Sequence, residues 1–205
     1  MRTFQTFTIV SCLILSIGCG QKHENESVAT EQNKSVSEKV AKNNTSQKPA
    51  ARPNRPPGSR PAREFTLATT TGELVSMSDL RGKVILLNFW GTWCGPCRME
   101  LPDFVKLYDK YNKDGLEIVG ITIRRGESIQ DVAKFQEQWG LNYLLLNDVN
   151  GNEVSEVTMD YSRAIGQMIS GIPTTLIIDR EGFIVSGFVG PRKEQVFYNA
   201  IKPYL

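Results

Sequence analysis

The sequence predicts an α/β fold, a mixed central sheet with helices on both faces. Three observations carry this. From Glu64 onward, short apolar runs alternate with segments of helical spacing. The run Val84-Ile85-Leu86-Leu87-Asn88-Phe89-Trp90 has the composition of a buried central strand and leads directly toward a helical segment. Near the C-terminus, two further apolar runs flank Asp179-Arg180-Glu181-Gly182, the pattern of an antiparallel hairpin.

The elements follow in order. Phe65-Thr66-Leu67 and Glu73-Leu74-Val75, split by Thr71-Gly72, predict a short N-terminal β-hairpin. Ser78-Asp79-Leu80 predicts a turn. After the central strand, a helix is expected from Cys94 to about Asn112, with Pro102 kinking it. Leu116 to Ile123 reads as a second strand. Ser128 to Trp139 reads as a helix, with Val132, Phe135 and Trp139 on one face and Gly140 as its stop. Leu141 to Leu146 reads as a strand. Glu153 to Met168 is ambiguous, with partial helical character. Thr174 to Ile178 and Phe183 to Phe188 form the hairpin, and Lys193 to Ile201 a closing amphipathic helix.

The 205 residues accommodate one domain of ordinary size plus extensions. A net charge of +2, with no basic stripe interleaved with aromatics, gives no sign of a nucleic-acid partner. Residues 1–18 read as a signal peptide: Arg2 gives a positive start, and Phe7 to Ile17 is an apolar run too short to span a bilayer. The run ends in Leu15-Ser16-Ile17-Gly18-Cys19, which resembles the lipobox of bacterial lipoproteins. That resemblance implies cleavage before Cys19 and lipidation on it. Ser16 stands where the pattern usually has leucine, which leaves ordinary cleavage or an uncleaved anchor open. Residues 19–63 lack aromatics and become rich in Pro and Arg, so a disordered tether is expected there, and a globular domain at 64–205.

The chemistry concentrates in Trp93-Cys94-Gly95-Pro96-Cys97, at the expected strand-to-helix junction. At a helix start, free backbone N–H groups and the positive end of the helix dipole favour a thiolate at Cys94. Pro96 has no N–H to lose there. Cys97, one turn along, would lie on the core side and attack a mixed disulfide formed on Cys94. A zinc half-site and a static disulfide compete with this redox reading. The other cysteines, Cys12 and Cys19, and the single histidine, His23, all lie near the N-terminus, so the body of the chain holds no second ligand pair. A two-residue loop constrains little of the unfolded chain. No metal and no cofactor is expected.

These residues resemble the thioredoxin fold and, within it, the TlpA/ResA-like group of membrane-tethered thiol–disulfide oxidoreductases. The resemblance rests on Asn88 to Pro102, on Gly171-Ile172-Pro173-Thr174-Thr175 and on Ile178 to Gly182. It places that group's central insertion between Ile123 and Gly171. It implies a cis Pro173 facing the cysteines and backbone pairing of Ile172 with substrate polypeptide. From sequence alone, Pro173 reads equally as an ordinary turn proline. Glu100 matches an acidic residue that the group places near its cysteines, where it could relay the proton of Cys97; the competing reading is a solvated helix glutamate. Asn88 stands where cytoplasmic thioredoxins carry a buried aspartate. Trp93 is expected to offer apolar surface to substrate, and Phe89 and Trp90 to lie in the core. Arg124, Arg125, Asp148 and Asp160 have no assignable chemistry and are expected on the solvated surface.

The expected function is extracytoplasmic thiol–disulfide exchange, with Cys94 and Cys97 as the redox pair acting on protein disulfides. The Gly-Pro dipeptide is that of thioredoxin, whose potential of about −270 mV favours reduction. The resemblance implies a membrane electron donor of the CcdA/DsbD kind and apocytochrome c as a frequent substrate. Two rivals are a thiol peroxidase of the peroxiredoxin-related class and a non-catalytic binding module. The peroxidase class needs a peroxidatic cysteine set among Thr and Arg, and the Trp-Cys-Gly-Pro-Cys loop is not that arrangement. Copper-delivery relatives add a histidine, and residues 64–205 contain none.

Overall fold

The computed structural model describes residues 55–205. The signal segment, most of the tether, Cys12, Cys19 and His23 lie outside the described residues. Strands β1 (Arg60–Pro61), β2 (Thr66–Thr69), β3 (Leu74–Ser76), β4 (Val84–Trp90), β5 (Leu116–Thr122), β6 (Leu144–Asn147), β7 (Thr174–Ile178) and β8 (Phe183–Val189) form one sheet. Its order is β1-β8-β7-β4-β5-β6-β2-β3. Strands β4, β5 and β6 run parallel. The pairs β4–β7, β7–β8, β2–β3, β2–β6 and β1–β8 are antiparallel. Helices α1 (Gly95–Tyr111), α2 (Ile129–Gln138), α3 (Glu153–Ile165) and α4 (Glu194–Ile201) complete the fold.

Every residue of β4 is buried, because helices cover both faces of the strand. Ile85, Leu87 and Phe89 pack with Met77, Leu80 and the α3 residues Val154, Val157 and Tyr161. Val84, Leu86 and Trp90 face the other way, toward Leu101, Phe104 and Leu107 of α1, Val132 of α2 and Phe197 of α4. The period-2 alternation thus splits one apolar run into two cores. Each fully buried Leu or Phe contributes about 1.5–3 kcal/mol. Helix α1 presents Cys97, Glu100, Leu101, Phe104 and Leu107 to the core, one stripe at helical spacing. Pro102 lies inside α1, which runs on through it to Tyr111. Gly120 on β5 is dictated by packing: a Cβ there would stand 2.8 Å from Trp90 Nε1 and from Leu145 Cδ2.

Four expectations change. First, residues 55–63, expected in the disordered tether, are held in place in the described structure. The Arg55 guanidinium lies 2.7 Å from the buried Asp179 carboxylate and 3.8 Å from the centre of the Phe183 ring. Residues 60–61 pair with β8, and the Ala62 N–H donates to Gly182 O at 2.9 Å. Charge pairing, ring stacking and backbone bonds fix this stretch, none of which depends on the apolar content that the composition lacks. Second, β6 starts at Leu144 rather than Leu141, because Gln136 Nε2 donates to the carbonyls of Leu141 and Tyr143 and occupies them before the ladder begins. Third, the ambiguous segment is a thirteen-residue helix. The Glu153 carboxylate accepts the N–H groups of Asn150, Gly151 and Asn152 at its start, and backbone hydrogen bonding lowers its pKa to about 2. Fourth, Arg124, Arg125 and Asp148 do make specific contacts, described below. Among the described residues, no helix is long and apolar enough to cross a membrane.

Candidate active site

Strand β4 ends at Trp90 and the chain turns at once into α1. The Cys94 N–H donates to Gly91 O at 3.0 Å, which tightens the corner. Cys94 has extended backbone angles and caps α1, its Sγ accepting the Cys97 N–H at 3.1 Å. Pro96 stands in the first turn, where no intrahelical N–H bond is lost. Cys94 and Cys97 are joined as a disulfide. Cys94 is 4% exposed and Cys97 fully buried, so Cys94 is the sulfur nearer solvent. In the reduced form, the Cys97 N–H and the helix start both favour negative charge on Cys94 Sγ.

A second loop closes over this corner. The Ile172–Pro173 peptide is cis. Ile172 O lies 3.6 Å from Cys94 Sγ. Thr174 Oγ1 donates to Gly171 O at 2.6 Å, and the Gly190 N–H donates to Pro173 O at 2.8 Å. The cis turn is thereby held between its own loop and the end of β8.

Glu100 is not a solvated helix residue. It is 1% exposed, and burial raises its carboxyl pKa from 4.5 to about 7. Asn88 Nδ2 donates to its Oε1 at 2.9 Å, and the Arg192 N–H lies 3.4 Å from its Oε2; both contacts oppose the rise. Asn88 Nδ2 also lies 2.9 Å from Thr175 Oγ1. The single buried amide on β4 thus links the α1 carboxyl to β7. Tyr143 has its hydroxyl pKa pushed up by burial and then by the charge of Glu100.

Trp93 does not offer a free apolar face. Its Nε1–H donates to Ile123 O at 2.9 Å, and the Arg125 guanidinium stacks 3.6 Å from the ring centre. The loop carrying Arg125 is itself anchored. The Glu127 carboxylate accepts from Thr92 Oγ1 and from the Arg125 N–H. Burial pushes the Glu127 carboxyl up, but these hydrogen bonds outweigh it and hold the pKa below the usual value. Arg124 bonds Glu127 O at 3.0 Å and pairs with Asp148 at 3.3 Å. The apolar side chains open to solvent in the first turns of α1 are Pro96, between the cysteines, and Met99, which is 64% exposed. Arg125, Glu127 and Met99 were not predicted as site residues. Thr92 and Glu127 are far apart in sequence, and only the β5–α2 turn brings them together.

The family comparisons fit this geometry. Residues 59–186 match the AhpC/TSA family. The thiol–disulfide oxidoreductase ResA of Bacillus subtilis is 35% identical over 145 residues, covering 69% of this chain and 74% of that protein. The chain belongs to the ResA-like thiol–disulfide oxidoreductases of the AhpC/TSA family. Solved relatives share its thioredoxin-like fold. A thiol:disulfide interchange protein from Chlorobium tepidum matches with a TM-score of 0.63 and 31% identity, over 71% of this chain and 96% of that one. A thiol:disulfide interchange protein from Bacteroides sp. matches with a TM-score of 0.61 and 26% identity, over 71% of this chain and 89% of that one. As a ResA-like protein, the chain is a thiol–disulfide oxidoreductase, with Cys94 and Cys97 at disulfide distance.

Proposed function

We propose that this protein is an extracytoplasmic, membrane-tethered reductase of protein disulfides. The observation that carries the reading is Cys94 at the start of α1, with its Sγ beside both the Cys97 N–H and the Ile172 carbonyl. In the dithiol form, the Cys94 thiolate attacks one sulfur of a substrate disulfide. The Cys94–substrate bond forms, the substrate S–S bond breaks, and the first substrate sulfur leaves as a thiolate. Cys97 loses its proton and attacks Cys94 Sγ. The second substrate sulfur then leaves, and the Cys94–Cys97 disulfide closes. Two electrons pass to the substrate, and its two thiolates take up two protons. Glu100 is the group that accepts the Cys97 proton. Ile172 and Pro173 hold substrate backbone over Cys94, while Pro96 and Trp93 border the site.

Each turnover leaves a disulfide that a second thiol donor must reduce. The ResA-like membership favours a membrane relay of the CcdA/DsbD kind for that step and apocytochrome c among the substrates. Thioredoxin's Gly-Pro dipeptide favours the reducing direction. Tethering rests on Cys19, and mass spectrometry of membrane-extracted protein should find diacylglyceryl mass on that residue. A soluble product cleaved elsewhere would remove the tether from the proposal. For the chemistry, Cys97→Ala should accumulate mixed disulfides with protein substrates, visible by non-reducing electrophoresis and released by dithiothreitol. Faster alkylation of Cys97 than of Cys94 in the reduced wild type would reverse the two roles.

A further inference from the structure

Strand β8 is only partly covered. It runs from Phe183 to Val189, yet β1 pairs with Phe183 and Ile184 alone. Beyond Ile184, no described strand lies on its outer edge. The Gly190 N–H points inward to Pro173 O. By strand alternation, the backbone groups of Gly187 and Val189 therefore face outward. Both residues are exposed, Val189 at 53%. A groove of about 710 Å³ adjoins this edge, lined by β8 from Ile184 to Val189, by Thr174 and Leu176 of β7, by the Pro56–Arg60 stretch and by the C-terminal end of α3.

The groove has a sign and a direction. Arg60, Arg63 and Arg163 line it, all exposed, and no Asp or Glu is among its described lining residues. Arg163 shares one nitrogen with Asp160 at 2.8 Å, at an exposed pair. No hydrogen bond or ion pair to the Arg60 or Arg63 side chain is seen among the described residues. The lining also includes Thr174 and Val189, which are paired across β7 and β8. Thr174 directly follows Pro173, and Ile172 O lies beside Cys94 Sγ. With consecutive Cα atoms about 3.8 Å apart, this end of the groove lies within about 8 Å of the cis-proline loop.

We propose that this groove is a docking channel for an acidic, extended segment of the substrate polypeptide, which adds to the outer edge of β8 while the substrate disulfide lies at Cys94. An open strand edge supplies N–H and C=O groups for an incoming strand, and the arginines select carboxylates along it. A strand laid along Val185–Val189 would be about 17 Å long. The proposal rests on the reductase reading above and names the substrate class of that site.

The test uses the full-length reduced protein and three disulfide peptides of one sequence core. One carries a Glu-rich flank long enough to follow the edge, one a Lys-rich flank, and one the Glu-rich flank N-methylated at alternate residues. A small uncharged disulfide, hydroxyethyl disulfide, serves as reference. The Glu-rich peptide should show a KM about tenfold below that of the Lys-rich peptide, a difference lost in Arg60→Glu/Arg63→Glu and reduced at high salt. N-methylation should weaken binding, whereas the double variant should reduce hydroxyethyl disulfide at the wild-type rate. Equal KM values for the acidic and basic peptides, or an unchanged preference in the double variant, would overturn the channel. An N-methylated peptide that binds as well as its parent would overturn strand addition. A wild type that reduces peptides but shows no preference refutes the groove alone. One that reduces neither peptides nor hydroxyethyl disulfide refutes the reductase reading instead.

Discussion

Cys94→Ser should abolish disulfide reduction, lowering kcat/KM by at least about a thousandfold. A serine hydroxyl is not ionised at neutral pH, whereas the helix start and the Cys97 N–H favour the thiolate at this position. Serine differs from cysteine by one atom and keeps the capping geometry, because its oxygen can accept the same N–H. The loss should therefore come without unfolding, with an unchanged circular dichroism spectrum. Cys97→Ala should behave differently. It keeps the first attack and loses the second, so a single mixed disulfide forms per molecule and turnover stops. The pair of variants separates attack from resolution. A Cys94→Ser protein that still turns over would place the nucleophile elsewhere.

The parts of the fold that were legible are those where one local rule decides. Strand β4 follows from its apolar run, the β7–β8 hairpin from its turn residues, and α1 from a Gly-Pro start and a stripe at helical spacing. Cys94 and Cys97 were legible for the same reason, since three residues of sequence fix their separation. The cis state of Pro173 came only through family resemblance, because its own sequence equally suits an ordinary turn. What stayed hidden depends on distant partners. Arg55 is held by Asp179 and Phe183, more than a hundred residues away, and nothing near Arg55 announces it. Arg125 reads as a surface charge until the β5–α2 turn lays it against Trp93, and nothing local marks Glu127, which the same turn lays against Thr92. Local sequence also left Glu100 open between solvent and core. Only the packing of Asn88, Arg192 and Tyr143 around it closes the question.

Glu100→Gln should change two pH dependences. The first is stability. Burial raises the Glu100 carboxyl pKa to about 7 in the fold from 4.5, so the folded state prefers the protonated acid. Its stabilising share is complete below the unfolded value and is lost as pH rises through about 7, a cost of about 3 kcal/mol. Glutamine carries no charge to bury, and its oxygen can still accept from Asn88 Nδ2. Relative to wild type, the variant should gain stability between about pH 4 and about pH 8, measured by urea unfolding of the oxidised protein. The second dependence is reactivity of the reduced site. Glu100 lies one helical turn after Cys97, so its carboxylate opposes a further negative charge there and raises the thiol pKa. Glutamine should lower that pKa, and alkylation should begin at lower pH. Turnover should nonetheless fall, because resolution by Cys97 loses its proton acceptor. Faster alkylation together with slower turnover distinguishes a proton relay from a packing residue, which would leave the alkylation profile in place. Superimposable alkylation profiles and unchanged turnover would leave Glu100 with a structural role alone.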